Sequence, residues 1–247
     1  MRVGRLPYLH AEPFYFDMER RGIELCELVP SAVYTAIADG EIDAGPVPLV
    51  DCFRAADRLQ PVAGFCVATA QRAGSVLLYS TKPISELTGA RIGVTDEAAT
   101  AARLLHVLLH FQLQVQPAAY VSLHDSYEAF LLIGNQGLRQ RLGTPGFPYA
   151  YDLGAMWHGW TRLPFVFSRW MARHDLAPKD LALLTDTLYV GMEAGVDLLF
   201  GVSEPREDLL MFPRDITKYI QGFRYYIGMA EQQAIERFQH YLQQLGD

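Results

Sequence analysis

The chain has 247 residues, half of them hydrophobic, and a formal net charge of −7, which suits one large α/β domain or two smaller lobes. An acidic chain without a basic stripe is not built for nucleic acid, and no segment reaches the ~20 consecutive apolar residues that span a bilayer. Cys26, Cys52 and Cys66 are odd in number and lack CxxC spacing, so the expectation is three thiols in a reducing cytosol, with no disulfide framework and no zinc site.

Residues 2–6 read as a strand that runs into a loop, 7–13, stiffened by Pro7 and Pro13. Pro7, His10 and Glu12 also interrupt any apolar leader, so the expectation is a cytoplasmic protein. A strand at 25–29, a helix at 31–38 ended by Gly40, and a strand at 42–44 form a βαβ unit. Gly45-Pro46-Val47-Pro48 then reads as a loop before a helix at 49–56. Residues 74–80 are an apolar strand, 84–87 a helical turn, and 91–94 another strand. After Thr95-Asp96-Glu97-Ala98-Ala99-Thr100, an apolar helix reaches about His110. Strand 119–122 follows, then helix or helix plus strand over 126–133, and loop 145–148. Segment 163–170 is a strongly apolar strand, 181–194 is helical, and the last helix carries Ile235, Phe238, Tyr241, Leu242 and Leu245 at helical spacing.

Ligands of open parallel sheets bind where strands end and loops begin, so both proline loops are candidate walls of one site. The apolar segments 75–79 and 165–168 bracket a self-contained α/β stretch. That pattern predicts two α/β lobes, one of residues 1–80 and 167–247 and one of 81–166, joined by two crossing hinge strands that close a cleft on a small ligand.

Familiar catalytic motifs are absent: no GxxxxGK[ST], no GxGxxG after a strand, no GxSxG. His106 and His110 share a helical face but lack the glutamate of HExxH, so no metal is expected there. His124-Asp125 reads either as an acid/base pair or as a helix cap.

Several motifs in order carry a resemblance. They are Arg2-Val3-Gly4-Arg5-Leu6-Pro7-Tyr8-Leu9-His10 with Glu12-Pro13-Phe14, then 40–49 (GEIDAGPVPL), 74–80 (GSVLLYS) and Ile92-Gly93-Val94-Thr95 with Ala99-Thr100. Residues 129–135 (AFLLIGN), Tyr151-Asp152-Leu153-Gly154 to Trp157, and 160–167 (WTRLPFVF) complete the run. Across nearly its whole length the chain resembles the chorismate dehydratases of the futalosine route to menaquinone. The resemblance implies a type II periplasmic-binding-protein-like fold and a lyase that removes water from chorismate, giving 3-[(1-carboxyvinyl)oxy]benzoate without a cofactor. The sibling enzyme that forms 1,4-dihydroxy-6-naphthoate usually opens with Ser-Pro-Cys-Pro-Asn-Asp, unlike this chain. Two positions depart from the family pattern: His10 stands where Asn is common, and Ala98-Ala99-Thr100 replaces Ser-Ala-Thr.

A dianionic substrate in an acidic protein needs local attraction, and a helix N-terminus supplies it. Thr95, Ala99 and Thr100 are therefore candidate substrate ligands, against the simpler reading of Thr95 or Asp96 as a helix cap. Pro48, Ser75, Ser80, Asn135 and Trp157 are further candidates, although Ser75 and Ser80 alternate along a strand. Trp157 reads equally as pocket wall or lobe core, and Asn135 as ligand contact or turn residue. His10 is the candidate catalytic residue, as general acid, general base or orienting group. Because it lies in a proline-bounded loop, replacing it is expected to cost little stability. A small-carboxylate-binding protein remains a rival on fold alone, and the sequence leaves a homodimer open.

Overall fold

The computed structural model describes residues 1–55, 57–200 and 204–246. Six strands form one mixed sheet: β1 (Arg2–Arg5), β2 (Glu24–Glu27), β3 (Ala44–Pro48), β4 (Leu59–Thr69), β10 (Phe165–Arg173) and β11 (Phe223–Tyr226), in the order β11-β4-β10-β3-β1-β2. A second sheet has the order β7-β6-β8-β5-β9 and comprises β5 (Leu77–Ser80), β6 (Arg91–Val94), β7 (Ala119–Ser122), β8 (Ala129–Leu132) and β9 (Tyr149–Asp152). Every strand of the second sheet lies between β4 and β10 in the chain, so one lobe is inserted into the other. Strand β5 belongs to the inserted lobe, although the sequence division placed residues 77–80 in the first.

The lobe-to-lobe crossings are the segment 70–76 and the helix α5 (Leu153–Thr161) with the turn that follows it. Asp152 holds both crossings. Its carboxylate accepts the backbone N–H groups of Ala73 (3.0 Å) and Gly74 (2.7 Å) in one, and of Ala155 (2.9 Å) in the other. The last of these makes Asp152 the N-cap of α5.

Helices cover the sheets. Pro30 opens α1 (Pro30–Ala38) at a position where its missing N–H costs nothing. Helix α2 is Leu49–Arg54; position 56, where the sequence expectation ended it, lies outside the described residues. Thr100–Val107 forms α3, continued by a π-helical turn at Leu108–Gln112, and Gly134–Gln140 forms α4. The later helices are α6 (Pro178–Phe200), α7 (Pro213–Ile220) and α8 (Met229–Leu245).

Three local expectations are corrected. Gly45-Pro46-Val47-Pro48 is strand β3, paired antiparallel with β10 from Ala44 to Pro48. Its prolines fit because β1 pairs with β3 only at Ala44, so the missing N–H groups interrupt no second ladder. The 7–13 segment is not an open loop: Leu9–Tyr15 winds into a 3-10 helix with most of its side chains buried. Helix α6 lies directly on it, and a Cβ added at Gly191 would fall 2.7 Å from the Pro13 carbonyl oxygen. Residues 126–128 are irregular and lead into β8, with no helix.

Candidate active site

Between the lobes lies a small cavity of about 60 Å³. Its walls are mostly apolar: Leu6, Pro30, Pro48, Val67, Val76, Ile133, Phe167 and Phe223. The polar groups on the wall are Tyr8, His10, Ser75, Glu97, Thr100 and Ser168. No lysine or arginine lines it among the described residues.

His10 dominates the polar set. Its ring lies parallel to Phe223, centroids 4.7 Å apart and planes 6° apart, and its backbone carbonyl accepts the Tyr225 hydroxyl at 3.0 Å. Nδ1 lies 2.9 Å from the Tyr219 hydroxyl, which donates to Ser75 Oγ at 2.9 Å; Ser75 Oγ in turn reaches the Ala73 carbonyl at 3.4 Å. Burial lowers the imidazole pKa from about 6.5 to about 3, so the ring is neutral at working pH. Burial raises the Tyr219 phenol well above its ordinary range, partly opposed by its bond to Ser75. The sequence reads His10 as a loop residue of little weight for stability; the ring is instead buried and packed. Phe223 supplies the apolar face that the N-terminal sequence alone does not reveal.

Glu97 enters from the inserted lobe. One carboxylate oxygen accepts the Tyr8 hydroxyl across the cleft, and the other accepts Gln136 Nε2 at 2.8 Å. Burial, followed by this bond to Glu97, raises the Tyr8 pKa and keeps it a phenol. Asn135 makes a second bridge: Oδ1 accepts Leu9 N–H at 3.2 Å and Nδ2 donates to the Pro7 carbonyl at 2.7 Å. Thr100 makes a third, accepting Val50 N–H at 3.4 Å. Gly134 closes the wall with φ +53, and a Cβ there would stand 2.6 Å from the Tyr8 ring. The lobes are therefore shut on the cavity.

The structure brings His10, Pro48, Ser75, Ala99 and Thr100 onto one cavity wall. Helix α3 starts at Thr100 with no side-chain cap, so neither Thr95 nor Asp96 caps it, and Ala99, Thr100 and Ala101 at its start line the cavity. Thr95 is buried behind this wall, its carbonyl accepting Ala98 N–H at 3.0 Å. Ser80 is turned away and donates to the Lys82 carbonyl at 2.6 Å. Asn135 clamps the His10 segment without lining the cavity. Trp157 is wholly buried core, packed edge-on against Phe165 and Phe238 with its indole N–H on the Pro164 carbonyl. Tyr8, Glu97, Tyr219 and Phe223 were not anticipated as site residues.

The histidines singled out elsewhere do not gather. His106 lies against Tyr120, His110 against Phe111, and no metal-holding group of three occurs among the described residues. His124 is exposed in a turn after β7. No helix among the described residues is long and apolar enough to cross a membrane.

The two-lobed fold is shared with known proteins. Residues 1–244 match the menaquinone biosynthesis family. The chain belongs to that family. A curated relative, chorismate dehydratase of Thermus thermophilus, is 25% identical over 96% of this chain and 93% of its own length. Among solved structures, protein AF1704 of Archaeoglobus fulgidus has a TM-score of 0.75 at 16% identity, covering 99% of this chain and 97% of that one. The periplasmic aliphatic sulphonate binding protein SsuA of Escherichia coli has a TM-score of 0.59 at 14% identity, covering 97% of this chain and 86% of that one. These likenesses give the menaquinone biosynthesis protein a periplasmic-binding-protein-like fold.

Proposed function

We propose that the chain dehydrates chorismate to 3-[(1-carboxyvinyl)oxy]benzoate in the futalosine route to menaquinone, with His10 carrying the proton. Family membership and the Thermus thermophilus relative support the substrate. The observation that carries the reading is the neutral, oriented His10 imidazole on the wall of a closed cavity.

Attraction for the dianion is local. The uncapped first turn of α3 offers backbone N–H groups at Ala99, Thr100 and Ala101, and the Thr100 hydroxyl stands beside them. Such a contact contributes about 0.3–1 kcal/mol when exposed and up to ~2 when partly buried. Ser75 and Ser168 supply further hydroxyl groups.

In chorismate the ether oxygen and the hydroxyl are trans on adjacent ring carbons. The hydrogen to be removed and the hydroxyl to be lost therefore share one face. Nε2 takes the proton from the carbon bearing the ether, the C–H pair becomes a ring π bond, and the neighbouring C–O pair leaves with hydroxide. The imidazolium returns its proton to that hydroxide, giving water and an aromatic ring. Atoms and electrons balance without a co-reactant. An imidazole held near pKa 3 is a poor base in the empty site. The two substrate carboxylates change that, because nearby negative charge favours imidazolium.

Incubation of purified protein with chorismate tests the reading, with ultraviolet absorbance and mass spectrometry reporting an aromatic product lighter by one water. Chorismate bound but unchanged would instead make the chain a carboxylate-binding protein.

A further inference from the structure

We infer that Tyr219 is a positioning residue that fixes the tautomer of His10, keeping the ring proton on Nδ1 and leaving Nε2 as a bare acceptor toward the cavity. The consequence for turnover rests on the dehydratase reading; the tautomer itself does not.

The direction of the hydrogen-bond chain follows from its far end. A backbone carbonyl only accepts, so Ser75 directs its hydroxyl proton to Ala73 O (3.4 Å). Ser75 Oγ then receives the Tyr219 proton (2.9 Å). With that proton committed, the Tyr219 oxygen can only accept from His10 Nδ1 (2.9 Å). Nδ1 therefore carries the hydrogen. Nε2 has no hydrogen-bond partner among the described residues, and the ring lines the cavity. Ser75 and Tyr219 are both buried, at 1% and 9% exposure, so water does not compete for these bonds. Burial also keeps Tyr219 a neutral phenol, able to donate. The stack on Phe223 prevents the imidazole from tilting out of line.

The arrangement ties two ends of the chain to one function. Tyr219 in α7 and Phe223 in β11 govern a ring in the first turn of the protein, and Ser75 lies on the crossing between the lobes. An asparagine at position 10 has no tautomer to set, so the device belongs to the histidine form of the site.

Nitrogen-15 NMR of histidine-labelled protein without substrate reads the tautomer directly, with His10→Asn identifying the His10 signals. The expected spectrum has a protonated, pyrrole-like Nδ1 and an unprotonated, pyridine-like Nε2. Ser75→Ala removes the acceptor, freeing the Tyr219 hydroxyl to donate to Nδ1; the proton should move to Nε2. Tyr219→Phe keeps the ring but removes the bond, and the two tautomers should mix. Under the dehydratase reading, both variants lower kcat about 10- to 100-fold, Tyr219→Phe with KM within about threefold. An Nε2–H tautomer in the wild type overturns the inference, as does a spectrum unchanged in both variants. Wild-type protein that shows the Nδ1–H tautomer yet leaves chorismate untouched refutes the proposed reaction and sustains the positioning role.

Discussion

His10 and Phe223 lie face to face, 4.7 Å between ring centroids, although they come from opposite ends of the chain. The stack makes His10 part of the protein's interior as well as of its site. Removing the ring opens a cavity beside Phe223 and strips Tyr219 of a buried partner. His10→Ala should therefore lower unfolding free energy by about 2–4 kcal/mol, measured by chemical denaturation. A melting temperature unchanged from wild type would mean the stack contributes nothing.

His10→Asn separates stability from chemistry. The amide can still accept or donate in place of the ring, but it cannot carry a proton. If His10 takes and returns the proton, the variant should lose about 10²–10⁴-fold in kcat while binding substrate with little change in KM. Retention of most of the activity would move the proton to another group, the substrate's own carboxylate included.

The depressed His10 pKa predicts how stability responds to acid. In the unfolded chain the imidazole protonates near pH 6.5, and in the folded protein only near 3. Between those values the unfolded state holds the extra proton, so stability is fully present above about 6.5 and declines as pH falls. The slope from this one group is at most about 1.4 kcal/mol per pH unit. Denaturation at a series of pH values should show that component in wild type and not in His10→Asn. For the same reason, kcat/KM should have no acid limb near pH 6.5 belonging to free His10.

Much of the frame is legible from local pattern: alternating strands and helices, the inserted lobe, and the convergence of His10, Pro48, Ser75, Ala99 and Thr100. What escapes local pattern has identifiable causes. Strand β4 carries Pro61 and Gly64, and the chain kinks at Ala63, where φ is +49 and the β10 register shifts nearby; a bulged strand does not alternate cleanly. Tyr219, Phe223 and Tyr225 escape because nothing near them in sequence points to His10. The one available signal is that Phe223 and Tyr225 alternate in a short strand and so share a face. Trp157 shows the opposite difficulty, since an aromatic suited to a pocket wall is equally suited to a core, and only packing decides.

The bond from Tyr8 to Glu97 joins the lobes directly across the cavity. Hydrogen bonds to a carboxylate contribute about 1.5–3 kcal/mol, so Tyr8→Phe should shift the empty protein toward an open form. Small-angle scattering should report a larger radius of gyration, and KM should rise about 10- to 100-fold with kcat less affected. A variant as compact as wild type, with unaltered KM, would show that the other bridges, through Asn135 and Thr100, suffice to close the cleft.

Asp152 controls how the two crossings meet, and its replacement gives the most discriminating stability test. Three backbone N–H groups converge on its carboxylate: Ala73 and Ala155 on Oδ1, Gly74 on Oδ2. The side chain is nearly buried, and Arg72 stands 3.9 Å away with its own side chain 75% exposed, too solvated to contribute much. Asp152→Ala leaves the donors without acceptors and uncaps α5, which should cost about 2–4 kcal/mol. Asp152→Asn keeps one oxygen, enough for Ala73 and Ala155, but turns an NH₂ group toward Gly74 N–H, so it should fall between wild type and alanine. Ser75 lies on this crossing next to Gly74, so both variants should also weaken the Ser75–Tyr219 bond and lower kcat beyond what the stability loss explains. Hydrogen exchange at Ala73, Gly74 and Ala155 localises the effect. If all three amides stay as protected in Asp152→Ala as in wild type, the carboxylate does not hold the crossings together.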